Sequence, residues 1–180
     1  MYNENDRFIK QDAVRSKIVE PLKHHHMSTN APIKRNEVLK PLSHEHHHGL
    51  LLCWKIKTGI KKNIETARIK KYADWFYRSH LLPHFQMEER FVFTILGKEN
   101  ELVKKAISEH RRISQLFDDT TEIPKNLILI KEELESHIRF EERILFNEIQ
   151  KNATAEQLQF IQINHSDEKF ADNLSDIFWE

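Results

Sequence analysis

Glycine occurs only three times in the 180 residues. A β-rich fold needs many tight turns, and turns draw on glycine for their left-handed positions, so this scarcity points away from sheet and toward helix. Cysteine is nearly absent as well: Cys53 stands alone, which excludes an internal disulfide and fits a reducing compartment. Neither sign of charge is in excess, with 28 Lys and Arg against 28 Asp and Glu, so nothing favours a nucleic-acid or membrane partner. No apolar run approaches the roughly 18 residues of a membrane span, and the opening Met-Tyr-Asn-Glu-Asn-Asp-Arg lacks the basic-then-apolar layout of a signal peptide. The expectation is a soluble, cytoplasmic protein with one main domain that buries its core without disulfide staples.

Against these absences stands a ten-residue phrase written twice. His84-Phe-Gln-Met-Glu88-Glu89-Arg90-Phe-Val-Phe returns as His137-Ile-Arg-Phe-Glu141-Glu142-Arg143-Ile-Leu-Phe. Each copy sets a histidine four residues before a glutamate, continues Glu-Glu-Arg and closes on an apolar triplet ending in Phe. On a helix, residues four apart share a face with their Cβ atoms about 5–6 Å apart. Each phrase therefore reads as half of a metal site. Glu45-His46 precedes the first copy and Glu109-His110 the second, so the chain reads as two helical hairpins, each with one lone histidine and one His/Glu pair.

Residues 1–36 read as a loosely structured N-terminal arm, and 37–180 as the domain. The arm has a short helical pattern around Asp12 to Leu22, then His24-His25-His26. That run lacks flanking periodicity, which marks it as exposed or tag-like rather than as a metal site. Met27 is an alternative start, with the residues before it an upstream extension.

Helical spacing of apolar residues predicts a first helix from Pro41 to about Ile64, a second from about Ala67 to Leu96, a third from about Glu99 to Phe117 and a fourth from Pro124 to about Gln150. Stepping along the first from His46 meets Gly49/Leu50, Cys53, Ile56 and Ile60, so His46 faces inward, with His47 the next candidate. His80, His84, Glu88, Phe91 and Ile95 share a face of the second. His110 lies between Ala106 and Ile113 on the third, and His137 and Glu141 between Leu134 and Ile144 on the fourth. Pro83 lies within the ligand face of the second helix, where it removes a backbone hydrogen bond and kinks or splits the helix beside His80 and His84. A last helix starts at Thr154, whose spacing to Gln157 matches a capping box, and runs through His165 toward Trp179. The fold class that follows is all-α, an up-down-up-down four-helix bundle with an additional C-terminal helix.

Six inward donors then converge: His46, His84, Glu88, His110, His137 and Glu141. As mere core residues they would be costly, because burying so many polar groups takes several kcal/mol each. Imidazole with carboxylate and no thiolate suits iron, manganese or zinc. Six donors exceed one tetrahedral ion and fit two metals. With both glutamates bridging and a bridging oxygen present, about two coordination positions stay open. His80, one turn before His84, is either an additional ligand or a side chain that orients one. Glu89, Glu142, Arg90 and Arg143 point off the ligand face and are expected in surface or inter-helix ion pairs. His165 and Tyr77 are expected to be structural, and Cys53 a buried, inert thiol.

The order His, His-x-x-x-Glu, His, His-x-x-x-Glu over Glu37 to Gln150 resembles the hemerythrin-like, or HHE cation-binding, family, whose four-helix bundle holds a non-haem di-iron centre. The resemblance implies that His46, His84, His110 and His137 ligate two irons and that Glu88 and Glu141 bridge them. It departs from the oxygen carriers of the family, which have five histidines and an aspartate bridge, since His110 has Ser114 four residues on. The layout is closer to bacterial di-iron proteins linked to nitric oxide stress and iron-sulfur cluster repair, without their cysteine-containing N-terminal domain. The function implied is binding of a small oxidant, oxygen, nitric oxide or peroxide, in sensing, stress protection or repair. The alternatives are a metal-stabilised helical module that recruits a protein partner, and an iron store without catalysis. The sequence assigns no catalytic residue.

Overall fold

The computed structural model describes residues 34–166 and 170–180. The pattern at Asp12 to Leu22, the run His24 to His26 and Met27 lie outside them. Among the described residues every regular element is helical and there is no strand, as the shortage of glycine predicts.

Helix α1, Lys40–Lys61, is entered through a 3-10 turn, Glu37–Leu39, whose cap is Asn36 accepting from the Val38 N–H. The helical path thus starts ahead of Pro41, which sits in the first α turn where its missing N–H costs nothing. Asn63, at φ 55°, closes the helix in the left-handed conformation, and the Ile64 N–H returns to the Gly59 carbonyl. Helix α2 runs continuously over 66–95 and stops at Gly97, φ 81°. Helix α3, Glu101–Asp118, is capped by Asn100, which accepts from the Leu102 and Val103 N–H groups. Helix α4 occupies 123–152. Helix α5, Ala155–Asn164, opens on the expected capping box of Thr154 and Gln157.

Two expectations need correction. Of the two outcomes expected at Pro83, splitting does not occur, since helical turns continue through it. A π turn, Tyr77–Leu81, precedes it, with the Leu82 N–H reaching back to the Tyr77 carbonyl, and this widened turn absorbs the proline. The final helix also stops at Asn164 instead of running toward Trp179. Beyond it, the described residues 170–180 form no helix; Asp172, Asn173, Ser175 and Asp176 favour side-chain contacts over helix. This tail is tied down by Lys55 and Tyr72, both donating to Asp172, by Arg68 to Asp176, and by Phe178, buried against the Gly59 and Ile69 region.

Helix α1 packs along α4 and against α2, and α3 packs along α4. The buried apolar residues form two clusters. One holds Leu52 and Ile56 of α1, Ile69 to Phe85 of α2, Ile113 to Phe117 of α3 and Leu127 to Ile138 of α4. The other holds Leu39 and Leu42, Val92 and Phe93, Val103 and Ala106, and Phe140 to Ile149. His46, His84, Glu88, His110, His137 and Glu141 fall where each helix passes from one cluster to the other. Arg35, expected in the arm, donates to the Glu142 carboxylate and carbonyl on α4. No helix among the described residues is long and apolar enough to cross a membrane.

Gly49 sets how closely α1 approaches α4. A Cβ there would stand 2.8 Å from the Ile138 Cδ1, inside contact distance, and Ile138 is itself buried. Gly49→Val is expected to lower unfolding free energy by about 1–3 kcal/mol through overpacking, measured by urea denaturation against the wild-type chain.

Candidate metal centre

Glu88 and Glu141 have no solvent exposure at all, and His46, His84, His110 and His137 are buried around them. The six donors form two groups, His46 with His84, Glu88 and Glu141, and His110 with His137, Glu88 and Glu141. Within each group the ligand atoms lie within 4.8 Å of one another. Both glutamates belong to both groups. Oε1 of Glu88 lies 3.3 Å from His84 Nε2 and 3.6 Å from His46 Nε2, while its Oε2 lies 3.4 Å from His110 Nε2. Oε2 of Glu141 lies 3.0 Å from His46 Nε2 and 3.2 Å from His137 Nε2, and its Oε1 lies 3.8 Å from His110 Nε2. Bonds of about 2.0–2.2 Å at right angles set neighbouring ligands about 3 Å apart, so these are spacings of a shared ligand shell.

The atoms lie close without lining up as hydrogen bonds. Nε2 of His46, Nε2 of His84 and all four carboxylate oxygens of Glu88 and Glu141 are buried with no hydrogen-bond partner. Nε2 of His110 and His137 meet each other at 3.0 Å. Buried carboxylates in this state cost on the order of several kcal/mol unless a cation meets them. The residues therefore fit a metal, and the buried His/Glu groups can hold one.

Each histidine is turned inward by a carboxylate on a neighbouring helix. Glu45 of α1 accepts from Nδ1 of His84 on α2 at 2.6 Å, and Glu89 of α2 accepts from Nδ1 of His110 on α3 at 2.8 Å. Glu109 of α3 accepts from Nδ1 of His137 on α4 at 2.9 Å, and Glu142 of α4 accepts from Nδ1 of His46 on α1 at 2.7 Å. The four bonds close a ring around the helices. With Nδ1 donating, Nε2 is the nitrogen that faces the centre and ligates once its proton is lost, the arrangement that fixes a metal-binding tautomer.

Glu89 and Glu142 are thus not merely surface or inter-helix ion-pair residues, as expected from the helical stripe. They hold the two lone histidines. The signal lay in the duplication itself: both Glu-His dipeptides and both Glu-Glu steps are repeated, and all four unassigned glutamates belong to them. Arg90 and Arg143 depart from the same expectation, since neither makes an ion pair among the described residues, and Arg90 instead lies over the Phe91 ring.

A π turn begins at each inner glutamate, Glu88–Val92 and Glu141–Leu145, with the Phe93 N–H on the Glu88 carbonyl and the Phe146 N–H on the Glu141 carbonyl. The wider turn swings the phrase-ending phenylalanine back over the ligand face. Phe93 stacks on His110 at 5.6 Å, and Phe146 on His46 at 5.3 Å. Both phrases therefore clamp the lone histidine of the other hairpin, with a carboxylate and a ring.

Comparison of the chain with protein-family models, curated proteins and solved structures finds no match.

His80 joins neither group. The π turn at Tyr77–Leu81 takes it out of register with His84, and its ring packs near Trp75, Phe76 and Phe170. His47 is exposed, leaving His46 as the inward residue of the four. Tyr77 stacks on Phe117 in the core at 4.4 Å. Cys53 is buried, and burial with the nearby Glu135 charge pushes its thiol up to about 12, an inert state. His165 is more than structural, because its Nε2 holds Glu45 at 2.9 Å, behind the Glu45–His84 bond.

A cavity of about 570 Å³ reaches His46 and His84 and has neither His110 nor His137 in its wall. The duplication explains why it is one-sided. Gly49 and Ile138 line it, whereas the positions three after His110 and one after His84 carry Ile113 and Phe85, both in the core, with Phe85 stacked on His110 at 3.8 Å. The bulkier pair fills what the smaller pair leaves open.

Charge follows from the packing. Burial opposes a charged imidazole, but the Glu88 charge and the Glu45 bond outweigh it and hold His84 up at about 9. Burial is likewise outweighed at His137 by Glu141 and Glu109, again to about 9. His46 is raised well above its usual value, burial being overcome by Glu141, Glu142 and Glu88. The facing histidines overcome burial to hold Glu88 and Glu141 below the usual carboxylate range.

Metal-free protein at pH 7 then carries protons on His84 and His137 that ligation must expel. Adding Zn²⁺ to weakly buffered apoprotein is expected to acidify the solution, and apparent affinity is expected to tighten as pH rises toward about 9, then level off. A pH-independent affinity between 6 and 8 would contradict the site. Glu89→Ala, which frees Nδ1 of His110, is expected to weaken metal binding about 10–100-fold with the fold retained, read by chelator competition and circular dichroism.

Proposed function

We propose that the chain is a hemerythrin-like, non-haem di-iron protein that binds a small oxidant, such as oxygen, nitric oxide or peroxide, in sensing, stress protection or iron-sulfur cluster repair. The observation that carries this reading is the sharing of Glu88 and Glu141 between two adjacent donor groups, since two carboxylates common to two histidine pairs are what a bridged pair of ions requires. The donor chemistry supports iron, and admits manganese or zinc.

The fold assigned with this function is an up-down-up-down four-helix bundle, α1 to α4, with α5 packed on it. The order of the two apolar clusters supports it. Along α1 the chain passes from the Leu39/Leu42 cluster to the Leu52/Ile56 cluster, α2 reverses that order, α3 restores it and α4 reverses it again. Alternating helix directions give that sequence of crossings.

Bound iron would supply redox chemistry and open coordination positions toward the oxidant. The chain's own residues divide the remaining work. Glu45 and Glu142 fix the tautomers of His84 and His46 on the side that the cavity reaches. Phe85 and Phe93 cover His110 on the other side, so approach from solvent is directed to the His46/His84 pair.

A metal-stapled binding module is the second reading, favoured by the origin of the six donors on four separate helices, which any divalent ion would cross-link. Protein purified without added metal is expected to contain two irons per chain, and to change its optical spectrum on exposure to nitric oxide. His84→Ala and Glu141→Ala are each expected to lower iron content at least twofold; unchanged content would overturn the assignment. A zinc-loaded chain that matches the iron form in cellular function would favour the module.

A further inference from the structure

The cavity beside His46 and His84 is far larger than a diatomic ligand needs. At about 570 Å³ it falls within the roughly 300–1,000 Å³ of pockets that take organic ligands, whereas a water molecule's share of liquid volume is about 30 Å³. Its wall is built for an apolar body: Phe76, Leu81, Met87, Phe91, Ile138 and Phe170 line it. Phe170 is a fixed part of that wall, stacked on His48 at 4.0 Å and packed by Phe76 at 6.0 Å.

The polar groups on the wall are unevenly matched. Among the described residues of the wall Glu45 is the one carboxylate, and both its oxygens are engaged, by His84 and by His165. Arg90 is a permanent cation with no ion pair among the described residues, its guanidinium 5.0 Å from the Phe91 ring centroid. His48 contributes two ring nitrogens that are out of solvent and without a hydrogen-bond partner. An aromatic wall, a cation with no ion pair among the described residues and a satisfied acid together select against cations and for an anion with an apolar body.

We propose that this cavity binds a small organic monoanion, an aromatic or aliphatic body bearing one carboxylate, with the body against Phe76, Met87 and Phe170 and the carboxylate toward Arg90 and His48. The site would seat an organic molecule on the one face from which the donor groups are reached. This inference goes beyond the gas-binding reading and rests on the cavity, not on which metal is bound.

Isothermal titration of the full chain at pH 7.5 tests it, with phenylacetate and octanoate as anions, phenylacetamide as the neutral isostere and phenethylamine as the cation. The expected result is one phenylacetate or octanoate per chain, phenylacetate at least tenfold tighter than the amide, and phenethylamine weakest. Arg90→Gln, an exposed position, is expected to bring phenylacetate down to the level of the amide and to leave the amide within twofold. Phe170→Ala is expected to weaken phenylacetate and amide alike, at least tenfold. The titrations are run on metal-stripped and metal-loaded samples, because a carboxylate also ligates metals directly. No saturable binding by either anion, a preference that survives Arg90→Gln, or a preference that vanishes on stripping the metal would each overturn the proposal. Metal content measured on the same samples reports separately on the di-iron assignment, so that either can fail alone.

Discussion

Two glutamates with no exposure, set between two apolar clusters, are the constraint that the rest of this structure answers. A carboxylate in such a place needs positive charge around it, because desolvation of the anion is too costly to be left uncompensated. Four imidazoles supply the first answer, drawing proton or metal toward Glu88 and Glu141 from every helix. Those imidazoles then need acceptors for their outer nitrogens, and four further glutamates provide them. Charge is neutralised in shells outward until it meets solvent, where Arg35 pairs with Glu142, Lys105 with Glu109 and His165 with Glu45.

The closed ring of Nδ1 bonds also makes the centre a tertiary device and not a property of any one helix. Each carboxylate serves a histidine on a different helix, and while Glu45–His84 and Glu109–His137 stay within a hairpin, the lone histidine of each hairpin is held from the other. His46 takes both Glu142 and Phe146 from the second phrase, and His110 takes Glu89 and Phe93 from the first. This interlocking gives the duplicated phrase a physical reason to keep its whole frame, including the Phe five residues after the inner glutamate. A plain α-helix would carry that Phe off the ligand face. The π turn in each copy returns it.

The inner donors were legible because helical periodicity is a local property: His84 and Glu88 share a face by spacing alone, and His46 and His110 sit in apolar stripes. The outer glutamates were not, since a residue next to a ligand points about 100° away on its own helix and acquires its role only from the adjacent helix. Spacing therefore assigned Glu89 and Glu142 to ion pairs, and His165 to structure. The π turns were hidden for a related reason. Nothing in Glu-Glu-Arg dictates a widened turn, and the shift that removes His80 from the ligand line is set by how α2 accommodates Pro83. The tail past Asn164 misled differently, because Leu174, Ile177 and Phe178 supply apolar residues at loosely helical spacing while the intervening Asp, Asn and Ser side chains favour turns.

Duplication makes the donor set symmetrical, yet two substitutions between the copies decide how it is approached. Where the second group is sealed by Phe85 and Ile113, the first has Ile138 and Gly49, and the cavity lies there. Gly49 has two consequences at once, since its missing side chain lets α1 close on α4 and also leaves open part of the wall beside His46. A larger residue would strain the packing at Ile138 and narrow the approach to His46 and His84. Stability and access at this position are therefore one constraint, in which close helix packing is compatible with an opening only because the residue at the crossing has no side chain.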